Sequence, residues 1–237
     1  SKVKNIIDNS FEQKMIQEDI LQRIGGGLAY TAKGKKVKND IENRFREILN
    51  LHNCHEVELP LIIDYNQINM DPIIKRGRLA QCFEIETEIE TEKKCYLAHT
   101  SEELAATYLS DRDDAIIYQI RSKFRNEPEV NIFKKLEFTM LEVYSYSQDN
   151  KVYRAVRKML LDTLEEFVKP IRINILDGND TGIISEEIYY DIYGTDGVEI
   201  GHFYMMGNTY KQTLGKDGFF ASYGIGIDRL LLCSILS

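Results

Sequence analysis

In an extended run from Ala115 to Glu127, Gln119, Arg121, Lys123, Arg125 and Glu127 share one face, while Tyr118, Ile120, Ser122 and Phe124 share the other. A strand that shows five polar groups in register is either an exposed sheet face or the floor of a site for a charged ligand. After a short polar loop a second run, Leu136 to Tyr146, brings back Glu137, Phe138 and Glu142. The last helical segment opens with Tyr223-Gly-Ile-Gly-Ile-Asp-Arg229. These residue types are what activation of a carboxylic acid by ATP requires. Arg125 can neutralise an α-phosphate as pyrophosphate leaves. Arg229 can hold the far phosphates and stack flat on one face of adenine, with Phe138 on the other face.

Phe124-Arg125-Asn126-Glu127 resembles the second signature motif of the class II aminoacyl-tRNA synthetases. Gly224-Ile-Gly-Ile-Asp-Arg229 resembles the third, and the helix and strand ending at Pro60 the first. The three fall at about 115–146, 221–236 and 35–61. The likeness is to the prolyl branch, through QIRSKFRNE, LEFTMLEVYSY, His99-Thr100-Ser101-Glu102-Glu103 and Glu199-Ile-Gly-His202-Phe-Tyr-Met-Met-Gly207, and it runs from about Gly27 to the end. The resemblance implies ATP binding by Arg125, Glu127, Phe138 and Arg229, with Arg125 and Arg229 catalytic. It further implies amino-acid binding by Thr100, Glu102, Glu142, His202 and Ser222, Mg²⁺ held by Glu199, and a homodimer built on residues 35–61.

The elements that must position these residues read as one α/β domain with an antiparallel sheet at its centre and helices flanking it, because consecutive strands are joined by short turns. Phe11, Met15, Ile16 and Ile20 predict a helix over 10–22 ended by Gly25-Gly26-Gly27, which is a turn and not a phosphate loop since no Gly-Lys-Ser/Thr follows. Val37, Ile41, Phe45, Ile48 and Leu49 predict a helix over 35–51, followed by a strand over 55–61. Residues 64–78 read as loop, and 79–97 as a hairpin around the charge run Glu86 to Lys94. Thr100 and Ser101 read as a cap, with Glu102 and Glu103 in the first turn of a helix. A core helix over 150–168, a strand over 171–176, a turn over 177–182 and a hairpin through residues 193–197 complete the chain.

The 237 residues are 43% hydrophobic, enough for one large core. Cys54, Cys82, Cys95 and Cys233 lack CxxC spacing and read as reduced thiols of a cytoplasmic protein. His52, Cys54 and His55 have the wrong spacing for zinc. No apolar run is long enough for a membrane span. The net charge of −8 argues against a broad nucleic-acid surface, and DNA is not expected as a partner. The loop over 128–136 is short, Leu136, Met205, Lys211 and Ser222 depart from the prolyl pattern, and neither an editing nor an anticodon-binding domain is expected. The reading is therefore an enzyme that forms an aminoacyl-adenylate of a small, proline-like amino acid. Its acyl acceptor is ranked as a carrier protein or small molecule ahead of a tRNA 3′ end. A tRNA-charging core and a non-catalytic accessory subunit are the alternatives.

Overall fold

The computed structural model describes residues 2–86, 94–178, 183–192 and 197–237. Helix α1 (Lys2–Gln17) leads to strands β1 (Leu21–Ile24) and β2 (Gly27–Tyr30), then to α2 (Ala32–Leu51) and β3 (His55–Glu56). β4 (Ile62–Asp64), α3 (Asp71–Lys75), β5 (Glu84–Ile85), β6 (Cys95–Leu97) and α4 (Glu102–Leu109) follow. The central strands are β7 (Ala115–Phe124) and β8 (Glu137–Ser147). After them come α5 (Lys151–Leu164), β9 (Arg172–Gly178), β10 (Ile183–Tyr190), β11 (Val198–Met205), α6 (Lys211–Leu214), β12 (Phe219–Gly226) and α7 (Ile227–Leu236). The main sheet has the order β3-β7-β8-β12-β11-β10-β9, antiparallel throughout except where β3 lies parallel to β7.

The two faces of this sheet have different tasks. Tyr118, Leu141, Val143, Phe203, Tyr223 and Ile225 point to one side, where α1, α2, α5 and α7 cover them in the larger core. Ile117, Tyr144, Tyr146 and Phe220 point to the other and pack under α4 and α6. The polar row of β7 therefore lies on the side that only α4, α6 and the small β4-β6-β5 sheet cover, which leaves room for a cleft.

Four expectations change. The first helix ends at Gln17, not Gln22: Asp19 adopts φ +58° and the Ile20 amide bonds back to Met15 O. Gly25 and Gly26, at φ +58° and +77°, form the expected turn, but it joins β1 to β2 in a hairpin, a conformation only glycine adopts without strain. The strand expected over 55–61 keeps its ladder for two residues. Pro60 has no N–H to continue it, and the side chains of Gln119 and Arg121 instead take Leu59 N (2.9 Å) and O (2.6 Å). In 64–78, read as loop, Pro72 sits in the first turn of the short α3. Of the turn expected over 177–182, Asp177 and Gly178 instead end β9, paired with Ile184 and Ile183; its residues 179–182, most of the charge run (87–93) and residues 193–196 of the hairpin turn lie outside the described residues.

Thr31 caps α2 through Gly34 N at 3.0 Å, and the first turn of the helix sits hard against Ile20, the residue before β1. A Cβ at Gly34 would lie 2.0 Å from Ile20 O. Gly34→Ala is therefore expected to cost about 1–3 kcal/mol, because backbone has to move. The gain of about 1 kcal/mol in helix propensity does not offset it. Unchanged urea denaturation would contradict this.

Candidate active site

Register alone assembles the floor. Gln119 pairs with Glu142, Glu142 with Gly224 and Gly224 with His202, so four strands present one row across the sheet. The next row runs Tyr144, Ser222, Tyr204. Glycine in the first row leaves its middle open, and a cleft of about 270 Å³ lies above it. Of the two readings of the β7 polar face, the exposed sheet face does not hold: Gln119 and Lys123 are buried.

Glu142 is the centre of that floor. Its Oε1 receives Lys123 Nζ (2.8 Å) and Gln119 Nε2 (3.0 Å). Its Oε2 receives Tyr144 OH (2.5 Å), Ser101 N (3.0 Å) and Thr100 Oγ1 (3.4 Å). Burial pushes this carboxyl up, but Lys123 and the hydrogen bonds outweigh it and hold it below the usual carboxylate range. Every acceptor position is taken by the chain itself, so Glu142 fixes the start of α4. Ser101 holds the N-cap position as expected, but its hydroxyl does not cap the helix; it accepts from Gln119 Nε2 at 3.0 Å, because the floor network claims it.

At one end of the cleft, Glu102 Oε2 pairs with Arg76 and accepts from Tyr210 OH at 2.9 Å, while Oε1 takes the Ser222 hydroxyl at 3.2 Å. Burial pushes Glu102 up, and Arg76, the Tyr210 bond and Arg78 overcome it, so the group is an anion. At the other end, the Arg125 guanidinium lies 5.1 Å from the Phe138 ring centre, and its Nε has no hydrogen-bond partner. Burial, Arg78 and Arg229 all push the Arg125 pKa down. Among the described residues no carboxylate lies within ion-pair distance of Arg78, Arg125 or Arg229. Arg229 spans the strand ends, donating to Phe133 O (2.7 Å) and Glu199 O (2.9 Å).

All ten residues singled out from sequence line this one cleft: Thr100, Glu102, Arg125, Glu127, Phe138, Glu142, Glu199, His202, Ser222 and Arg229. His202 Nδ1 lies 3.0 Å from Glu199 Oε1 and its ring stacks on Tyr204 at 4.0 Å. Sequence reasoning missed Arg76 and Arg78. They flank Gly77, whose φ of +64° turns both into the cleft, and an Arg-Gly-Arg triplet after a proline-led turn was the available signal. It also missed Asp228, which is held by Tyr30 OH, Lys135 Nζ (3.0 Å) and Thr139 N (2.6 Å) and thereby sets the turn before Arg229. Met205, a departure from the prolyl pattern, faces the larger core and not the cleft.

Glu103, beneath Glu102, shares the Tyr210 hydroxyl at 2.8 Å and is pushed up to about 7 by burial and by Glu102. A carboxyl raised in this way favours folding below its ordinary 4.5, and the contribution is lost as pH rises to about 7. Glu103→Gln is thus expected to stabilise the protein at pH 8 by up to about 3 kcal/mol and by little at pH 5. Denaturant unfolding at the two pH values checks it; equal effects would contradict it.

For Mg²⁺ the donor set is one carboxylate, Glu199, part-exposed at 32% with one oxygen engaged by His202. Among the described residues no three His, Cys, Asp or Glu side chains cluster to form a complete cage. That fits an ion that keeps its waters and takes its other ligands from substrate phosphates.

A mainly antiparallel sheet flanked by helices, with paired strands carrying an Arg-Phe stack and a Gly-x-Gly-x-x-Arg helix closing the cleft, defines the catalytic-core fold of a class II synthetase. Residues 31–194 match the family described as tRNA synthetases class II (D, K and N), and the chain belongs to the class II tRNA synthetases. Within the class its similarity is to prolyl enzymes. It is 22% identical over 298 residues to a proline–tRNA ligase of Ehrlichia ruminantium, covering 91% of this chain and 67% of the relative. Prolyl-tRNA synthetase of Giardia lamblia, solved in complex with prolyl-adenylate, superposes with a TM-score of 0.83 at 16% identity over 95% of this chain and 52% of its own. The Cryptosporidium parvum enzyme, complexed with halofuginone and AMPPNP, gives 0.79 at 14% identity over 94% and 50%. The chain thus spans about half the length of the solved proteins it matches.

Proposed function

We propose that the chain activates proline or a close analogue with ATP to form an aminoacyl-adenylate. The observation that carries this reading is the polarity of the cleft: among the described residues Arg78, Arg125 and Arg229 have no carboxylate partner at one end, and the anionic Glu102 stands at the other. The cationic end fits triphosphate. Glu102 Oε1, with Ser222 and Thr100 beside it, fits the substrate's ammonium or iminium. The substrate carboxylate attacks the α-phosphorus, the bond to the bridging oxygen breaks, and pyrophosphate leaves with the electron pair. Arg125 spreads the charge that develops at the α-phosphate, while Phe138 and Arg229 clasp the adenine, so catalysis is positioning and charge stabilisation with little acid-base work. Mg²⁺, held by Glu199, would offset phosphate charge when bound.

The acyl group then passes to a nucleophile reaching the open side of the cleft. Lys134 at the rim and the matched family favour a tRNA 3′ end; a carrier protein or small metabolite is the other outcome. Two copies pair through residues 35–61, where Leu51 is 70% exposed. The protein works in the cytoplasm as one catalytic unit. All four cysteines are free and buried, and among the described residues no helix is long and apolar enough to cross a membrane. The deciding experiment is amino-acid-dependent pyrophosphate exchange against a panel of amino acids and imino acids. Exchange with one of them names the substrate, and acylation of purified tRNA names the acceptor. ATP binding without exchange for any of them would overturn the reading.

A further inference from the structure

His99 lines the cleft and has no part in the scheme above, although its placement is tightly specified. The residue before it is pinned on both sides: Ala98 N bonds Leu61 O at 2.7 Å, and Ala98 O accepts Phe124 N at 2.9 Å. The imidazole is 2% exposed. Its Nδ1 lies 3.4 Å from Cys82 Sγ, which also touches Tyr65 OH (3.1 Å) and Arg78 O (3.5 Å). Among the described residues its Nε2 is buried without a partner, as are Arg125 Nε and His202 Nε2 in the same cleft. Three buried polar nitrogens left unpaired are costly, and a protein tolerates them where a ligand completes them.

The protonation of the ring follows from its surroundings. Burial and then Arg125 push His99 down to about 4, with Arg78 and Arg76 acting in the same direction against Glu102. The ring is neutral at physiological pH and carries one N–H. Burial pushes the Cys82 thiol up, so it keeps its proton, and it receives Tyr65 OH. The thiol has one proton and two acceptors in reach, Arg78 O and Nδ1; where it goes to Nδ1, the ring's own proton stands on Nε2. Although Arg76, Arg78 and Arg125 all face this ring, none of them donates to Nε2, as a lone pair there would invite. An N–H in that position calls for an oxygen.

We propose that His99 is a substrate-contacting residue whose Nε2–H, beside Arg125, donates to an oxygen at the junction of the two substrates, the carboxylate that becomes the acyl-phosphate. The assignment rests on the activation reading. It places a neutral donor between the cationic phosphate end and the anionic ammonium end, where a charged group would bias binding toward one substrate alone.

The test uses variants that separate the two ring nitrogens. Gln reaches where Nε2 stands, and Asn reaches only where Nδ1 stands. Each protein is titrated by calorimetry with a non-hydrolysable acyl-sulfamate analogue of prolyl-adenylate and assayed by pyrophosphate exchange. His99→Asn is expected to lose about 10- to 100-fold in analogue affinity and in kcat/KM for the amino acid, with KM for ATP nearly unchanged. His99→Gln is expected to stay within about threefold of wild type. Full activity in Asn with loss in Gln would overturn the proposal, since the ring would then serve only to hold Cys82. So would wild-type behaviour in both. If neither variant folds, ¹⁵N-histidine spectra of the wild-type complex decide: an Nε2–H resonance displaced by the analogue supports the contact, and an Nδ1–H tautomer overturns it. A wild-type chain that binds no analogue and shows no exchange with any amino acid fails at the activation reading itself, and this assignment falls with it.

Discussion

Arg125→Ala is expected to lower pyrophosphate exchange by about 10²- to 10³-fold while leaving stability within about 1 kcal/mol of wild type. The two halves have separate physical causes. A preorganised cation aimed at developing phosphate charge acts in a desolvated cleft, where its loss is felt in full. In the free protein the same guanidinium is half-buried beside Arg78 and Arg229, with no carboxylate of the described residues within ion-pair distance, so removing it relieves repulsion. Against this, the stacking on Phe138 at 5.1 Å and the attraction to Glu127 are lost. Arg229→Ala makes the contrast. Its Nε and Nη1 hold Phe133 O and Glu199 O, so this variant should lose both exchange and stability. Paired measurement of exchange rate and thermal midpoint distinguishes the two. An Arg125→Ala protein that melts many degrees lower would show that the arginine holds the fold and that the charge surplus has another purpose.

Where one residue's role depended only on strand period, the sequence was readable. The alternation in β7 and β8 places Gln119, Lys123, Phe138 and Glu142 on one face whatever surrounds them, and antiparallel return of two strands brings Arg125 to Phe138. The glycine-led helix likewise fixes where Arg229 starts. Which face would be covered was not readable, because that depends on α4 and on the segments over 62–86 and 94–97 folding across the sheet. Arg76 and Arg78 were missed for this reason: they sit in a stretch with weak periodicity, and their position is decided by Gly77 and by the Arg76 pair with Glu102.

The first 30 residues show the opposite failure. Helical spacing of Phe11, Met15, Ile16 and Ile20 is real, but Ile20 belongs to the turn after the helix, where the chain reverses at Asp19. Four residues on each side of a glycine pair then satisfy one another as a hairpin. A periodic apolar pattern cannot distinguish a residue on the last helical turn from one that packs just beyond it. Conversely, Met205 looked like a loss from the site in sequence, and strand geometry turns it to the core side.

The floor network supplies the second large effect. Lys123 is fully buried and its ammonium meets Glu142 at 2.8 Å. Lys123→Met keeps the volume and removes the charge, leaving Glu142 with Gln119, Tyr144, Ser101 and Thr100 as donors. Breaking a buried pair from one side costs about 3–5 kcal/mol, and the remaining hydrogen bonds place this case near the lower end. The pH response carries the same information. Glu142 is held below the usual carboxylate range in the folded state, so its contribution is present above that range and is lost as pH falls through it. Without Lys123 the hold weakens, and the variant's stability should fall less steeply in acid than that of wild type. A double variant, Lys123→Met with Glu142→Gln, removes the stranded anion and should recover a large part of the loss. Since Glu142 also fixes Ser101 N at the start of α4, the single variant should raise KM for the amino acid through Glu102, with KM for ATP less affected. Denaturant titrations from about pH 2 to 8 on the three proteins measure the stabilities, and pyrophosphate-exchange kinetics measure the two KM values. A single variant as stable as wild type would mean that the four neutral donors suffice, and that Lys123 is present for the ligand and not for the floor.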